Sequence, residues 1–347
     1  MRYILGIALC FVLTSSVSFG QNTPKERAAL LYEKGKYKIA LRLYDSLINA
    51  NDNDTDSFYG RGLVKLALKD YDGSIKDFKK ALKLNANDAD SYLNMGIAEY
   101  KSEDNRGAMN DINKAIQLRP TFSDAYNYKG NVEFSSGDTT NARKDYTKSI
   151  QLDSTNMDAF FNRGYMEIEQ RKYEAAFNDL TNVIALDNTD APAFFYRGLT
   201  LEEMKKYLDA ANDYNNAIAA DSNYAEAYLN RGIVKYQLNY FPEAKYDFTE
   251  VIRKDSDNAV AYYCRALSED KLKDYLDAIQ DYSTAVHFQP NYAEAFYGRG
   301  NSYMSIGNMD KACDDFNTAY ENGYAPALTN MNNFCKKVKK GKGWSLN

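Results

Sequence analysis

The side chains able to do chemistry are few and poorly spaced for it. His287 is the only histidine in 347 residues, so a metal site built on imidazole, or a serine or cysteine triad, lacks its usual partner. Cys264, Cys313 and Cys335 have no Cys-x-x-Cys spacing. Gly60-Arg61-Gly62 and Gly298-Arg299-Gly300 resemble the opening of a dinucleotide fingerprint, but the third glycine and the preceding strand are missing. Asp52, Asp54 and Asp56 alternate as in a calcium loop, yet Ser57 and Leu63 stand where the glycine and the bidentate glutamate belong. That run reads as a polar turn that caps a helix. Carboxylate chemistry remains open in principle, but no segment is visibly modified for it. The expectation is a non-enzyme with no cofactor and no metal.

Two charged rows stand out instead. Arginine recurs at Arg61, Arg163, Arg197, Arg231, Arg265 and Arg299. Aspartate recurs at Asp77, Asp111, Asp145, Asp179, Asp213, Asp247, Asp281 and Asp315. Guanidinium and carboxylate pair in a fork geometry, so matched rows predict a structural ladder. The competing reading, an arginine row that grips an anionic ligand, is weakened because the matching aspartate row neutralises it.

The elements that carry these rows follow from periodicity. Gly62, Gly96, Gly130, Gly164, Gly198, Gly232 and Gly300 fall in one 34-residue register, with Ala266 in the gap. Small residues recur at the same step from Ala40 through Ser74 to Ala312, and aromatics from Phe58 through Tyr92 to Phe296. Within a unit, Phe194, Gly198 and Leu201 are spaced for one helix, and Ala210, Tyr214, Ala217 and Ile218 for a second. None of the six prolines falls inside a predicted helix. A 44% hydrophobic fraction supports a buried core, and a net charge of −5 argues against a sequence-independent grip on nucleic acid.

This pattern resembles the tetratricopeptide repeat family. Tyr228, Gly232, Ala244 and Phe248 match that family's aromatic, glycine, alanine and second aromatic positions, while Val251 replaces a smaller residue. The resemblance implies an all-α fold, a right-handed α-solenoid of about nine helical hairpins plus a C-terminal capping helix. The units are 21–54, 55–88, 89–122, 123–156, 157–190, 191–224, 225–258, 259–292 and 293–326, with the capping helix at 327–338 and a basic tail at 339–347. The first unit departs most, with Pro24 at the aromatic position and Ala28 at the glycine position. Cys313 lies on the last second helix and Cys335 on the cap that packs against it, which predicts a Cys313–Cys335 disulfide with Cys264 left as a buried thiol. Such a bridge closes a loop of roughly 20 residues, worth about 3 kcal/mol in the chain-entropy model.

The family binds extended peptides or helices along its first helices, so the resemblance implies a scaffold or adaptor for a protein or peptide. Two first-helix registers are candidates. One holds Tyr59, Leu93, Asn127, Phe161, Phe195, Leu229, Tyr263 and Tyr297; the other holds Leu66, Tyr100, Phe134, Ile168, Glu202, Tyr236, Asp270 and Met304. Asp56, Asp90, Asp124, Asp158, Glu226 and Glu294 form an acidic margin. For any one of these positions, packing against a neighbouring repeat is the competing role.

The first twenty residues read as a secretory signal peptide. Arg2 precedes an apolar run, and Ser18-Phe19-Gly20 suits cleavage before Gln21. The expected destination is a bacterial periplasm or cell surface, within an envelope assembly. Leu9 directly before Cys10 argues against lipidation, though a lipid-tethered outer-membrane component remains an alternative, as does a carboxylate-based hydrolase on this scaffold. Membrane contact is expected at most peripherally, through Lys336, Lys337, Lys339, Lys340 and Lys342.

Overall fold

The computed structural model describes residues 23–335, so the signal segment, Cys10 and the basic tail lie outside the described residues. Every described element is helical. The chain divides into two compact units, Met1–Asn182 and Val183–Asn347. The 34-residue register crosses that division, although the sequence pattern alone suggests one uninterrupted array. Each hairpin touches mainly its sequence neighbours, so nothing in the repeat chemistry prevents such a division.

Within each unit the chain forms antiparallel hairpins. First helices are α3 (Thr55–Ala67), α5 (Ala89–Lys101), α7 (Ser123–Ser135) and α9 (Met157–Glu169) in the first unit. Those of the second are α11 (Ala191–Glu203), α13 (Ala225–Gln237), α15 (Ala259–Leu272) and α17 (Ala293–Ser305). The second helices include α4 (Tyr71–Leu84), α6 (Asn105–Leu118) and α8 (Thr139–Leu152), then α12 (Tyr207–Ala220), α14 (Phe241–Lys254), α16 (Tyr275–Phe288) and α18 (Met309–Glu321).

The helix starts are written in the sequence. Asp54, Asp88, Asn156, Asp190 and Asn258 cap first helices, and Asp70, Asp104, Asp138 and Asn308 cap second helices, each accepting a backbone N–H of the first turn. Asp54 of the Asp52–Asp56 run is therefore a cap, and Lys25 donates to both Asp54 and Asp56. The turn inside each hairpin contains one residue at positive φ, repeating from Gly35 to Gly307. Six of these positions are not glycine, for example Lys69, Lys205 and Lys273. Each such residue costs about 1–2 kcal/mol of local strain, which the flanking helix packing outweighs.

The core repeats as well. Ala108, Ala142, Ala210, Ala244, Ala278 and Ala312 are fully buried, and Ser74 takes the same role while donating its hydroxyl to the Gly62 carbonyl at 2.8 Å. The glycines admit the large residue of the partner helix. A methyl group on Gly62, Gly130, Gly198, Gly232 or Gly300 would lie 2.7 Å from the ring of Phe78, Tyr146, Tyr214, Phe248 or Phe316 respectively. Gly60 and Gly298 of the two Gly-Arg-Gly runs serve neighbouring hairpins, since a methyl there would strike Tyr44 at 2.4 Å and Tyr282 at 2.5 Å. Val251 is buried at the position where a smaller residue was noted.

The ends differ in detail. The first hairpin forms a ten-residue helix, α1 (Pro24–Glu33), held by a Thr23–Glu26 capping box and followed by α2 (Tyr37–Ala50). At the other end, α19 (Ala327–Asn330) passes into a π turn at Met331–Cys335, so the described part of the cap is helical but not one regular α-helix. Cys313 and Cys335 are joined there, with Cα atoms 5.6 Å apart. The buried Ala312, Phe316, Ala319 and Ala327 pack around this join.

Candidate functional site: the first-helix face

The arginine row is committed to the stack. Arg61, Arg163, Arg197, Arg231, Arg265 and Arg299 each make a two-pronged pair with the aspartate sixteen residues ahead, at 2.5–2.9 Å. In five of them a third nitrogen reaches sixteen residues back, to Asp45, Thr147, Asn215, Thr249 or Ser283. Each of these arginines thus ties its own hairpin to the second helix of the one before. It also lies 5.2–5.9 Å from the aromatic ring three residues earlier. With both edges of the guanidinium engaged and its charge met by a buried aspartate, the row is structural.

Four residues beyond this register lies a second charged row that the sequence reading missed. Glu99, Glu133, Glu167 and Glu269 are buried and fall on the same 34-residue step. Lys65 and Lys235 occupy the step elsewhere and pair with Asp77 and Asp247. Arg143 neutralises Glu167, and Lys245 neutralises Glu269 at 3.0 Å. The third hairpin is the exception. Met95 replaces the arginine, so Glu99 faces Asp111 without a bound cation, and burial followed by Asp111 pushes Glu99 up to about 8. Burial likewise pushes Glu133 up to about 7. One oxygen of each of Glu99, Glu133 and Glu269 has no hydrogen-bond partner. The signal was available: reading every column of the 34-residue register, not only the arginine and aspartate columns, exposes it.

The two candidate binding registers behave differently. Leu93, Asn127, Phe161 and Phe195 are buried, so these four positions do not present the open surface expected of them. Tyr59, Leu229, Tyr263 and Tyr297 are half-buried. The cause is stacking between neighbours. Phe195 lies 5.8 Å from Tyr214 and 4.9 Å from Tyr224; Tyr263 sits likewise between Tyr282 and Tyr292, and Tyr297 between Phe316 and Tyr324. The register seven residues on retains surface. Leu66, Tyr100, Phe134 and Ile168 in the first unit are all half-buried, as are Glu202, Tyr236, Asp270 and Met304 in the second. Beside it, Asp124 accepts from Asn156, and burial followed by the Asp124 charge pushes Asp158 up to about 6. Arg119 forks onto Asp90.

Other chemistry is sparse. His287 is exposed beside Phe288, and burial pushes the Cys264 thiol up to about 12, leaving it little thiolate character. Among the described residues no group of three or more His, Cys, Asp or Glu side chains is placed to hold a metal ion.

Repeated helical hairpins, with their charged rows locked inside and one variable face left open, define a class: α-solenoid interaction scaffolds. Comparison with known proteins agrees. A profile described as "TPR repeat" matches residues 62–103, 130–168 and 271–307, and profiles described as "Tetratricopeptide repeat" match 195–259 and 293–322. Together these segments span more than half of the chain, which belongs to the tetratricopeptide repeat family.

Among solved structures, the C-terminal part of a TPR repeat-containing protein from Cytophaga hutchinsonii is similar at TM-score 0.58 and 18% identity, covering 69% of this chain and 98% of that one. A tetratricopeptide repeat protein from Parabacteroides merdae is similar at 0.50 and 18%, covering 70% and 96%. Pseudomonas aeruginosa pilF is similar at 0.52 and 20%, covering 58% and 92%. Identities this low establish the shared fold. A search of curated proteins found no match.

Proposed function

We propose that this protein is a non-enzymatic adaptor that seats a segment of a partner protein along the open register of its first helices. The observation that carries this reading is that the first register is buried at four of its eight positions, whereas the second keeps surface at all eight. The repeated arginines, aspartates and Phe195-type rings are consumed in stacking, whereas Leu66, Tyr100, Phe134 and Tyr236 keep surface at the same step of the repeat. Half-exposed aromatics of this kind are the usual anchors of protein interfaces. Of the raised carboxyls, Glu99, Glu133 and Glu269 are buried within the stack, outside the open register, while Asp158, half-buried beside Asp124, lies on the margin. No helix among the described residues is long and apolar enough to cross a membrane.

The proposal includes export through the N-terminal segment, cleavage near Gly20–Gln21 and a place in a bacterial envelope assembly. Two measurements test it. Sequencing the mature N-terminus should begin at Gln21; retention of Met1, or acylation at Cys10, overturns the export reading. Affinity capture from native envelope should recover partners with the parent chain but not with Tyr100→Ala/Phe134→Ala. Equal recovery by both overturns the choice of register.

A further inference from the structure

In the second unit, the open register contains a cavity of about 250 Å³ whose walls come from three successive first helices. Tyr236 of α13 and Tyr275 at the start of α16 supply aromatic surface, Leu267 of α15 an apolar wall, and Asn301 and Ser305 of α17 a polar rim. Phe241 packs against the Tyr236 ring at 5.3 Å and holds it in place. Asp270 and Lys271 also line the cavity. The two Asp270 oxygens accept from Tyr282 Oη at 2.8 Å and from Ser302 Oγ at 2.6 Å.

Those two contacts settle the chemistry of Asp270. Both hydroxyls donate, so the carboxylate is fixed as an acceptor, and each oxygen keeps a second lone pair. Of the buried carboxylates of this unit, Asp213, Asp247, Asp281, Asp315 and Glu269 each have a cation in contact, and Asp190 caps α11 instead. Asp270 has two neutral hydrogen-bond partners and no cation in direct contact; the exposed Lys271, which also lines the cavity, acts on it only through its charge at longer range. A partly buried anion with no cation in direct contact, in a cavity lined by two tyrosines, is complementary to a cation on an apolar stem.

We propose that this cavity is a specificity pocket for a basic side chain, arginine or lysine, of the bound partner segment. The stem lies along Leu267 and between the tyrosines, and the charged head donates to Asp270. This rests on the scaffold reading and adds the partner's chemistry to it. Asp270, the more buried of the two charges in the lining, disfavours an anionic or C-terminal carboxylate anchor here, whereas Lys271 is exposed at the mouth.

The test uses two small probes on the whole chain: N-acetyl-arginine amide, and its citrulline counterpart, which keeps the shape but lacks the charge. Binding is read by NMR shift changes at Tyr236, Tyr275 and Ser305. The arginine probe should give a saturable response there, at least about tenfold tighter than citrulline. Asp270→Asn should remove that preference while the melting curve shows the fold retained. Tyr236→Leu should weaken both probes. Equal binding of the two probes, an unchanged preference in Asp270→Asn, or no saturable response up to the solubility limit overturns the pocket. If Tyr100→Ala/Phe134→Ala abolishes partner capture while the probes show no charge preference, only the pocket fails. If the probes behave as expected but no partner is captured, the scaffold reading fails and the pocket stands.

Discussion

Replacing Glu99 with glutamine should stabilise this protein, and more so as pH rises. Glu99 is buried against Asp111 where Met95 has replaced the usual arginine, and its folded value of about 8 lies well above the ordinary carboxylate value of 4.5. A group raised in the folded state is held protonated there but ionises in the unfolded chain. Its contribution therefore falls away as pH climbs from about 4.5 towards about 8. One unit corresponds to about 1.4 kcal/mol, so the full span to neutral pH bounds the effect near 3 kcal/mol. Sharing of the proton with Asp111 and the nearby Lys79 charge reduce it, to roughly 1–2 kcal/mol.

Repeat arrays open in parts, so the measurement is native-state hydrogen exchange of the α5 and α6 amides, corrected for intrinsic rates, in parent and Glu99→Gln between pH 5 and 8. The two should coincide near pH 5 and diverge towards pH 8, with the variant better protected. Met95→Arg, which restores the missing cation, should also remove the fall with pH. Parallel curves across the range, or a variant that loses protection at high pH, would refute the reasoning.

Further predictions concern the stack. Gly198→Ala places a methyl 2.7 Å from the Tyr214 ring and should cost about 1–3 kcal/mol, visible as a lower urea midpoint. Asp247→Asn strips the shared partner from Arg231 and Lys235 in a fully buried position; a cost of about 3–5 kcal/mol is expected, read as a lower melting temperature. Reduction should loosen the C-terminal cap by about 3 kcal/mol, and Cys335→Ser should make the melting curve insensitive to reductant. Non-reducing mass spectrometry that found both Cys313 and Cys335 as thiols would remove the basis of that last expectation.

Much of this molecule is legible in one dimension. The 34-residue period places Gly198 opposite Tyr214 and Arg197 opposite Asp213, because an offset of sixteen residues spans one helical hairpin whatever its surroundings. Caps such as Asp54 and Asp190 are equally local, since they satisfy N–H groups two or three residues away. The buried glutamates were missed for another reason. A glutamate on a helix ordinarily reads as solvated, and only the approach of α6 to α5 takes water away from Glu99.

The choice of binding register was beyond the sequence. Phe195 and Glu202 are seven residues apart and therefore lie on one face of α11. Which of them a partner could touch depends on where the neighbouring hairpin falls. The hairpin that follows sets Tyr224 against Phe195 and leaves Glu202 half open. Asp270 is a similar case: its sequence context is unremarkable, and only the folded packing gives its two oxygens neutral partners, Tyr282 and Ser302, from two different helices. Sequence determined the repeat, its hairpins and its internal ladder, because these depend on fixed offsets along the chain. Tertiary structure decided which surfaces stay open and which charges stay unpaired, because these depend on the lateral packing of one hairpin on the next.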